Sequence, residues 1–126
     1  PALEFDTAHC TRRAMFPITG GAVTGPGISG HILPGGADFA QRLPDGAYAI
    51  EARYCMMLDD GTPLMITNAG RMQPMPDDSF QGRTRAVIEA PAGPHGWLSD
   101  AVLFGTAWAE PGDEAHVFIE LWQAVI

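Results

Sequence analysis

The sequence predicts a single all-β domain, residues 1–126, folded as an antiparallel β-barrel of about eight strands with one or two short helical turns. Fifteen glycines and eleven prolines are spread through the whole chain, which indicates many short elements joined by turns. Stretches in which apolar and polar residues alternate recur along the chain, whereas helical periodicity is nearly absent. Short strands at regular spacing are typical of a β-sandwich or barrel.

Alternation and turn residues place each strand in order. The predicted strands cover residues 2–8, 13–25, 28–33, 48–58, 62–72, 83–90, 101–110 and 116–126. The strongest, 48–58, is followed by "DDG", whose turn chemistry favours a hairpin. This hairpin pairs 49–58 antiparallel with 62–71. Two stretches, 38–43 and 97–101, are long enough only for a turn or two of helix.

Composition excludes several classes of function. The net charge is −8, with 15 acidic residues against seven arginines and no lysine, which disfavours nucleic acid binding. A chain without lysine has no Schiff-base or P-loop lysine. The longest apolar runs fall far short of the ~20 residues of a membrane span. With only Cys10 and Cys55, we expect free thiols in a cytoplasmic protein that carries no signal peptide.

The central predicted hairpin carries charges in apolar company. Glu51, Arg53 and Cys55 share one face of strand 48–58, because strand side chains alternate with a period of two. Arg85 and Glu89 similarly share a face of strand 83–90. A lumen that holds a ligand is lined by apolar groups with a few placed polar ones, which favours an inward orientation for these charges. The alternative is an ion-pair network on a solvated face.

These residue types suggest acid–base chemistry. In a dry cavity, Arg53 with Asn68 would hold an enolate or carboxylate oxygen. Glu51 or Asp38 would transfer the proton as a carboxyl group with a raised pKa. The alternatives remain open: Asp38 could cap a helical turn at 39–43, and Asn68 could bind a neighbouring backbone group.

Other side chains complete the predicted site. Arg85 and Glu89 would orient the catalytic groups, and Cys55 would line the pocket or fill space as a small apolar residue. Phe39 and Trp97 would form walls at the barrel mouth or belong to the core. The four histidines show no metal-ligand spacing, so we predict no metal and no cofactor.

The motif "GPGISG" at 25–30 matches the dinucleotide-binding pattern G-x-G-x-x-G. That pattern binds a pyrophosphate only where it opens a helix, and Pro34 with its neighbouring glycines leaves no room for one. Glycines that let a β-strand bend are the better interpretation.

The chain resembles the bacterial and fungal family called domain of unknown function 3237. The similarity lies in "LPGGAD" at 33–38, "PDG" at 44–46, "ARY" at 52–54, "DDG" at 59–61 and Asn68 with Gly70. It continues through "RAVIEAPAGPHGWLSDAVLFGTA" at 85–107 and covers nearly the whole chain from Phe16. The resemblance implies a compact antiparallel barrel of the calycin-like or allene-oxide-cyclase-like type, usually oligomeric, and it implies no particular reaction. Phe39, His95 and Ser99 depart from the family's usual Trp, Tyr and Asn near the expected pocket, which leaves room for a different ligand.

Three functional hypotheses follow. The first is a cofactor-independent acid–base enzyme, an isomerase, cyclase or hydratase/lyase, acting on a small aromatic or unsaturated carbonyl compound in the barrel lumen. The second is a carrier or sensor that binds the same ligand without turnover. The third is a structural oligomeric barrel filled by its own side chains. We expect a small hydrophobic ligand with a carbonyl or carboxylate, a homo-oligomer of two or more copies, and neither nucleic acid nor membrane as partners.

Overall fold

Ten antiparallel strands form one continuous sheet in the computed structural model, which describes residues 1–113 and 115–125. The first five strands are β1 Leu3–Asp6, β2 Arg12–Ile18, β3 Gly21–Gly25, β4 Ile28–Ile32 and β5 Gly36–Arg42. The others are β6 Tyr48–Leu58, β7 Pro63–Pro74, β8 Phe80–Glu89, β9 Val102–Ala109 and β10 Phe118–Ala124. A short 3₁₀ helix, Gly96–Asp100, precedes β9 and agrees with the helical turn predicted at 97–101.

The strand order runs β1-β2-β5-β6-β7-β8-β9-β10. The long strand β6 is shared on one side, because β5 pairs with its first half and β4 with its second half. The β3–β4 hairpin is thereby attached beside β6. No pairing joins β10 to β1 or β3 within the residues described, so the sheet stays open between those strands.

The central hairpin forms as predicted. Ala49 lies opposite Arg71 and Met57 opposite Pro63, which places Thr67 and Asn68 inside β7. The turn residue Gly61 has a φ of 87°, a conformation that glycine adopts without steric cost. Local turn chemistry was therefore sufficient to set this register.

Two predicted elements differ from the structure. Of residues 38–43, all but Leu43 belong to β5 and form no helical turn, so Asp38 is not a helix cap. β5 lies close against β6 at Gly36, which has no Cβ. If a Cβ were added there, it would be 2.5 Å from the carbonyl oxygen of Arg53. Pairing with β2 and β6 on both sides outweighs the weak local preference for a turn.

The other difference concerns strand 13–25, which divides into β2 and β3 after Ile18. The two parts need different partners, since β2 pairs with β5 and β3 with β4. This division and the extra strand β5 raise the strand count from about eight to ten. The last predicted strand, 116–126, begins at Phe118, and its final residue, Ile126, lies outside the described residues.

The "GPGISG" segment forms the β3–β4 hairpin. Gly25 pairs with Ile28 across a two-residue turn of Pro26 and Gly27, and Gly27 has a φ of 70°. Proline followed by a glycine with positive φ is the signature of a type II turn. Gly30 lies against β6, where a Cβ would be 2.3 Å from the carbonyl oxygen of Met57. The glycines serve strand geometry, as the sequence indicated.

One face of the sheet supplies the core. On β6 the even-numbered side chains from Ala52 to Leu58 are buried, and on β7 Leu64 is only 2 % exposed. We call this the inner face. The buried cluster contains Ala52, Tyr54, Met56, Leu58, Leu64, Ile66, Ala86, Ile88, Leu98 and Leu103.

Candidate functional site

The charged face of β6 points to solvent, so the prediction that it lines the interior is wrong. Glu51 and Arg53 are exposed, whereas Ala52 and Tyr54 on the opposite face are buried. An unpaired buried ion costs several kcal/mol, while apolar atoms routinely make up more than half of a protein's surface. The sheet therefore exposes the mixed face and buries the uncharged one.

The other residues predicted to surround this pair share its location. Arg85 and Glu89 are exposed on β8, and Cys55 is half-buried with a free thiol. Phe39 and Trp97 are each 47 % exposed, so neither is a core aromatic. The alternative ion-pair network is also not found, because no salt bridge in the described part of the chain includes these side chains, Glu51 or Arg53. A role for them in ligand chemistry stays a prediction, without the dry cavity it assumed.

Asp38 and Asn68 occupy the inner face instead. Asp38 on β5 and Asn68 on β7 both lie directly opposite Ala52 on β6. All three side chains therefore point to the same side of the sheet. Asn68 is 1 % exposed, and it is among the largest fully buried side chains. Two of the predicted site residues are thus brought together on the buried side of the central strands.

Unpartnered polar atoms mark this part of the inner face. The buried atoms Oδ1 of Asp38, Oδ1 of Asn68 and Oγ1 of Thr84 form no hydrogen bond with any residue that the structure describes. Leaving such an atom unpaired costs about 1–3 kcal/mol, and buried polar groups in proteins are rarely left so. Because these unpaired groups cluster on adjacent strands, this part of the inner face is the candidate site.

The Asp38 carboxyl has a raised pKa. Desolvation raises its pKa from 3.8 to about 6, and the backbone amide of Glu51 offsets a smaller part of this effect. A carboxyl whose pKa lies near neutral pH exchanges protons efficiently in both directions. Its cross-strand neighbour on β2, Phe16, is 37 % exposed, so solvent reaches the inner face beside Asp38.

Thr84 was missed by the sequence analysis. It lies on β8 between Gly70 of β7 and Gly105 of β9, and its neighbours along the strand on the same face are Gly82 and Ala86. These four neighbours on the sheet thus have little or no side chain, and the larger Leu121 approaches the same position as the hydroxyl at Gly105. The signal was available in strand 83–90, where the alternation puts a threonine on the same face as the apolar Ala86.

Tyr54 adds a further polar group to the inner face. Burial raises the pKa of its phenol to about 12, so the hydroxyl stays protonated at neutral pH and is available as a hydrogen-bond donor.

A separate cleft of about 350 Å³ lies at the far end of β6. There His95 Nε2 is 2.8 Å from Asp60 Oδ2, and Ser29 Oγ donates to Asp59 Oδ2 at 2.7 Å. Hydrogen bonds from Thr62, followed by that from His95, lower the pKa of Asp60 to about 2. The polar groups here pair with one another. We therefore interpret them as a structural contact that holds the β6–β7 turn against the loop before the 3₁₀ helix.

Neither a metal cluster nor a membrane-spanning helix is found in residues 1–113 and 115–125. These residues contain no group of three or more His, Cys, Asp or Glu side chains placed to hold a metal ion. They also contain no helix that is both long and apolar enough to cross a membrane.

Known proteins share this fold. In sequence, the UPF0311 protein RPA1785 from Rhodopseudomonas palustris is 33 % identical over 108 residues, covering 75 % of this chain and 71 % of that protein. The crystal structure of RPA1785, a conserved protein of unknown function, has a TM-score of 0.82 at 30 % identity and covers 96 % of this chain and 86 % of its own.

A beta-barrel like protein (ABAYE2633) from Acinetobacter baumannii has a TM-score of 0.82 at 22 % identity, over 96 % of this chain and 84 % of that one. At such identity the likeness concerns the fold alone. It confirms the predicted class, an all-β antiparallel barrel, although the sheet described above is open between its outer strands.

A more distant relative carries a functional name. The hydroalkoxylation enzyme phnH from Penicillium herquei is 24 % identical over 124 residues, covering 98 % of this chain and 74 % of that protein. A crystal structure of an enzyme from the same fungus has a TM-score of 0.66 at 24 % identity, over 95 % of this chain and 80 % of that one.

A family model described as "Protein of unknown function (DUF3237)" matches residues 1–124, nearly the whole chain. Together with the UPF0311 relative at 33 % identity, this match agrees with the resemblance seen in the sequence motifs. The chain therefore belongs to the DUF3237 family.

Proposed function

We propose that this protein is a cofactor-independent acid–base enzyme that adds a hydroxyl group across the double bond of a small unsaturated carbonyl compound. The addition is a hydration when the hydroxyl belongs to water and a ring closure when it belongs to the substrate. The observation that carries the proposal is the Asp38 carboxyl, which is desolvated, has a pKa of about 6 and faces Asn68 across Ala52.

The distant relative supports this class of reaction. Hydroalkoxylation is the addition of an alcohol O–H across a carbon–carbon double bond, and phnH bears that name. Such an addition causes no net oxidation or reduction of the alcohol and the unsaturated compound taken together. It therefore needs only proton transfer. It is thus within reach of carboxyl and carboxamide side chains.

Asp38 performs both proton transfers in this scheme. Its carboxylate takes the proton of the attacking hydroxyl, whose oxygen forms a bond to the β-carbon of the unsaturated carbonyl. The π electrons move onto the carbonyl oxygen as an enolate. The Asp38 carboxylic acid then returns the proton to the α-carbon, so all atoms of the reactants are retained in the product. The reverse sequence is the corresponding elimination.

Asn68 positions the attacking oxygen. Its Oδ1 is a buried acceptor without a partner in the described chain, and it shares Ala52 as a cross-strand neighbour with Asp38. Neighbouring strands lie roughly 4.8 Å apart, so the two Cα atoms are about 10 Å apart and the side chains reach toward a common ligand. Arg53, which had been expected to act with Asn68, is on the other side of the sheet.

The test uses 2′-hydroxychalcone, whose ring closure to flavanone removes a conjugated double bond and is followed by absorbance. We expect the wild-type protein to accelerate closure, with a rate that rises with pH through about 6 as Asp38 ionises. Asp38→Asn is expected to lower the rate by about 10²–10⁴-fold, the usual contribution of a positioned acid–base group.

Glu51→Met serves as the matched control, because it removes a carboxyl from the exposed face of the adjacent strand. It should keep the wild-type rate. Equal rates for wild type and the Asp38→Asn variant would refute the proposal. Tight binding with the chalcone recovered unchanged would instead identify a carrier.

A further inference from the structure

We infer that Thr84 is the group that binds the carbonyl oxygen of the ligand, so that the site selects compounds bearing both a hydroxyl and a carbonyl. This inference rests on the proposed function for its location, since it concerns the same inner-face site. It adds a recognition residue and a substrate class that follow from neither the motifs nor the relatives.

The hydroxyl of Thr84 is buried but unused. The residue is 6 % exposed, and its Oγ1 has no hydrogen-bond partner in the described ranges, 1–113 and 115–125. A threonine hydroxyl usually pairs with a nearby backbone carbonyl when it is buried. A valine of the same shape would fill this position at lower cost, because it has no hydroxyl to desolvate.

Glycines on both sides allow the neighbouring strands to pack closely against Thr84. A Cβ at Gly105 would be 2.8 Å from Thr84 Oγ1, and a Cβ at Gly70 would be 2.8 Å from Thr84 Cα. Any larger residue at position 105 would thus press directly on the hydroxyl. Neither glycine places a side chain of its own beside the hydroxyl, and the side chain that approaches the same position, through Cδ2 of Leu121, is apolar.

The position of Thr84 relative to Asn68 suits a two-point contact. Asn68 lies opposite Ala86 and Gly70 lies opposite Thr84, so the two polar residues are diagonal neighbours on adjacent strands. Diagonal side chains in an antiparallel pair are roughly 7–8 Å apart at Cα, within reach of one small molecule.

The chemistry of the three groups defines the ligand. The unpartnered oxygens of Asp38 and Asn68 accept hydrogen bonds, so they bind a hydroxyl. Thr84 is the only one of the three able to donate at neutral pH through its unpartnered atom, because the pKa of Asp38 is about 6. It therefore binds an acceptor, namely the carbonyl oxygen on which enolate charge develops.

The experiment compares three probes of similar shape by isothermal titration calorimetry. They are 3′-hydroxyacetophenone, which has both groups, acetophenone, which has only the carbonyl, and 3-ethylphenol, which has only the hydroxyl. For wild type we expect the hydroxyketone to bind most tightly. Thr84→Val should weaken both ketones by about tenfold, the equivalent of one hydrogen bond, and leave 3-ethylphenol unchanged. Thr84→Ser should retain ketone binding.

Thr67→Val is the matched control, since Thr67 lies on the neighbouring strand with its side chain on the opposite face. It should bind all three probes as wild type does. Unfolding measurements separate recognition from a structural role: Thr84→Val should be at least as stable as wild type, because the lost hydroxyl had no partner. A less stable valine variant with unchanged probe affinities would overturn the inference, as would failure of wild type to bind any probe.

The outcomes distinguish this inference from the proposed function. If wild type shows ketone binding that depends on Thr84 but no turnover of 2′-hydroxychalcone, only the catalytic proposal fails. If turnover depends on Asp38 while Thr84→Val binds ketones as tightly as wild type, only the role of Thr84 fails.

Discussion

Asp38 and Asn68 lie on opposite sides of Ala52 in the register of three adjacent strands, and each has a buried side-chain oxygen without a hydrogen-bond partner in the described chain. A folded protein seldom keeps two such atoms so close together without use. Under the proposed function, the arrangement trades stability for binding and proton transfer, a compromise that is common at functional sites.

The raised pKa of Asp38 predicts a specific dependence of stability on pH. The folded protein holds the Asp38 proton more tightly than the unfolded chain does. The stabilisation that the protonated Asp38 carboxyl gives to the fold is therefore complete below the unfolded-state pKa of 3.8. It is lost as pH rises through about 6. Between about pH 4 and about pH 7 the wild type should therefore lose about 2 kcal/mol relative to the Asp38→Asn variant, measured by urea unfolding.

Asp100→Asn controls for the change in net charge, since Asp100 is exposed at the end of the 3₁₀ helix, away from the inner face. Its stability difference from wild type should stay nearly constant over the same range. A constant difference for Asp38→Asn as well would contradict the buried, high-pKa carboxyl.

The exposed location of Glu51 and Arg53 predicts that they contribute little to the fold. Glu51→Met and Arg53→Ala should each change the free energy of unfolding by no more than about 0.5 kcal/mol, as surface substitutions usually do. Chemical denaturation provides the measurement, and binding of the acetophenone probes should not change. Losses of several kcal/mol would show instead that this face is covered.

Gly70 predicts a steric limit beside the site. A Cβ at this position would be 2.1 Å from the carbonyl oxygen of Arg83, so Gly70→Ala must push β7 and β8 apart. We expect a loss of about 1–3 kcal/mol, typical of overpacking. Gly20→Ala is the control, since its Cβ would meet nothing nearer than 3.8 Å. Similar thermal unfolding of both variants would be inconsistent with the close approach of these strands.

Residue patterns predicted most of the fold because they act over short distances. The alternation in β6 and the "DDG" turn depend on neighbours a few residues apart, and the central hairpin formed with the expected register. β5 could not be found this way, because its residues become a strand only through pairing with β2 and β6. The division between β2 and β3 likewise depends on the strands with which each of them pairs.

The sequence predicted two residues of the candidate site but not their surroundings. Asp38 and Asn68 were identified as polar residues in unusual places, but they were assigned together with the charges of the opposite face. Alternation reveals that two faces of β6 differ without telling which one is buried.

The sequence by itself determined an all-β chain, a central hairpin and the identity of the polar residues available for chemistry, since these depend on local periodicity and turn geometry. Only the tertiary structure decided which face of the sheet is buried and which polar groups meet there. That choice depends on the balance between desolvating charges and burying apolar surface over the whole sheet. It left Glu51 and Arg53 in water and brought Asp38, Asn68 and Thr84 together inside.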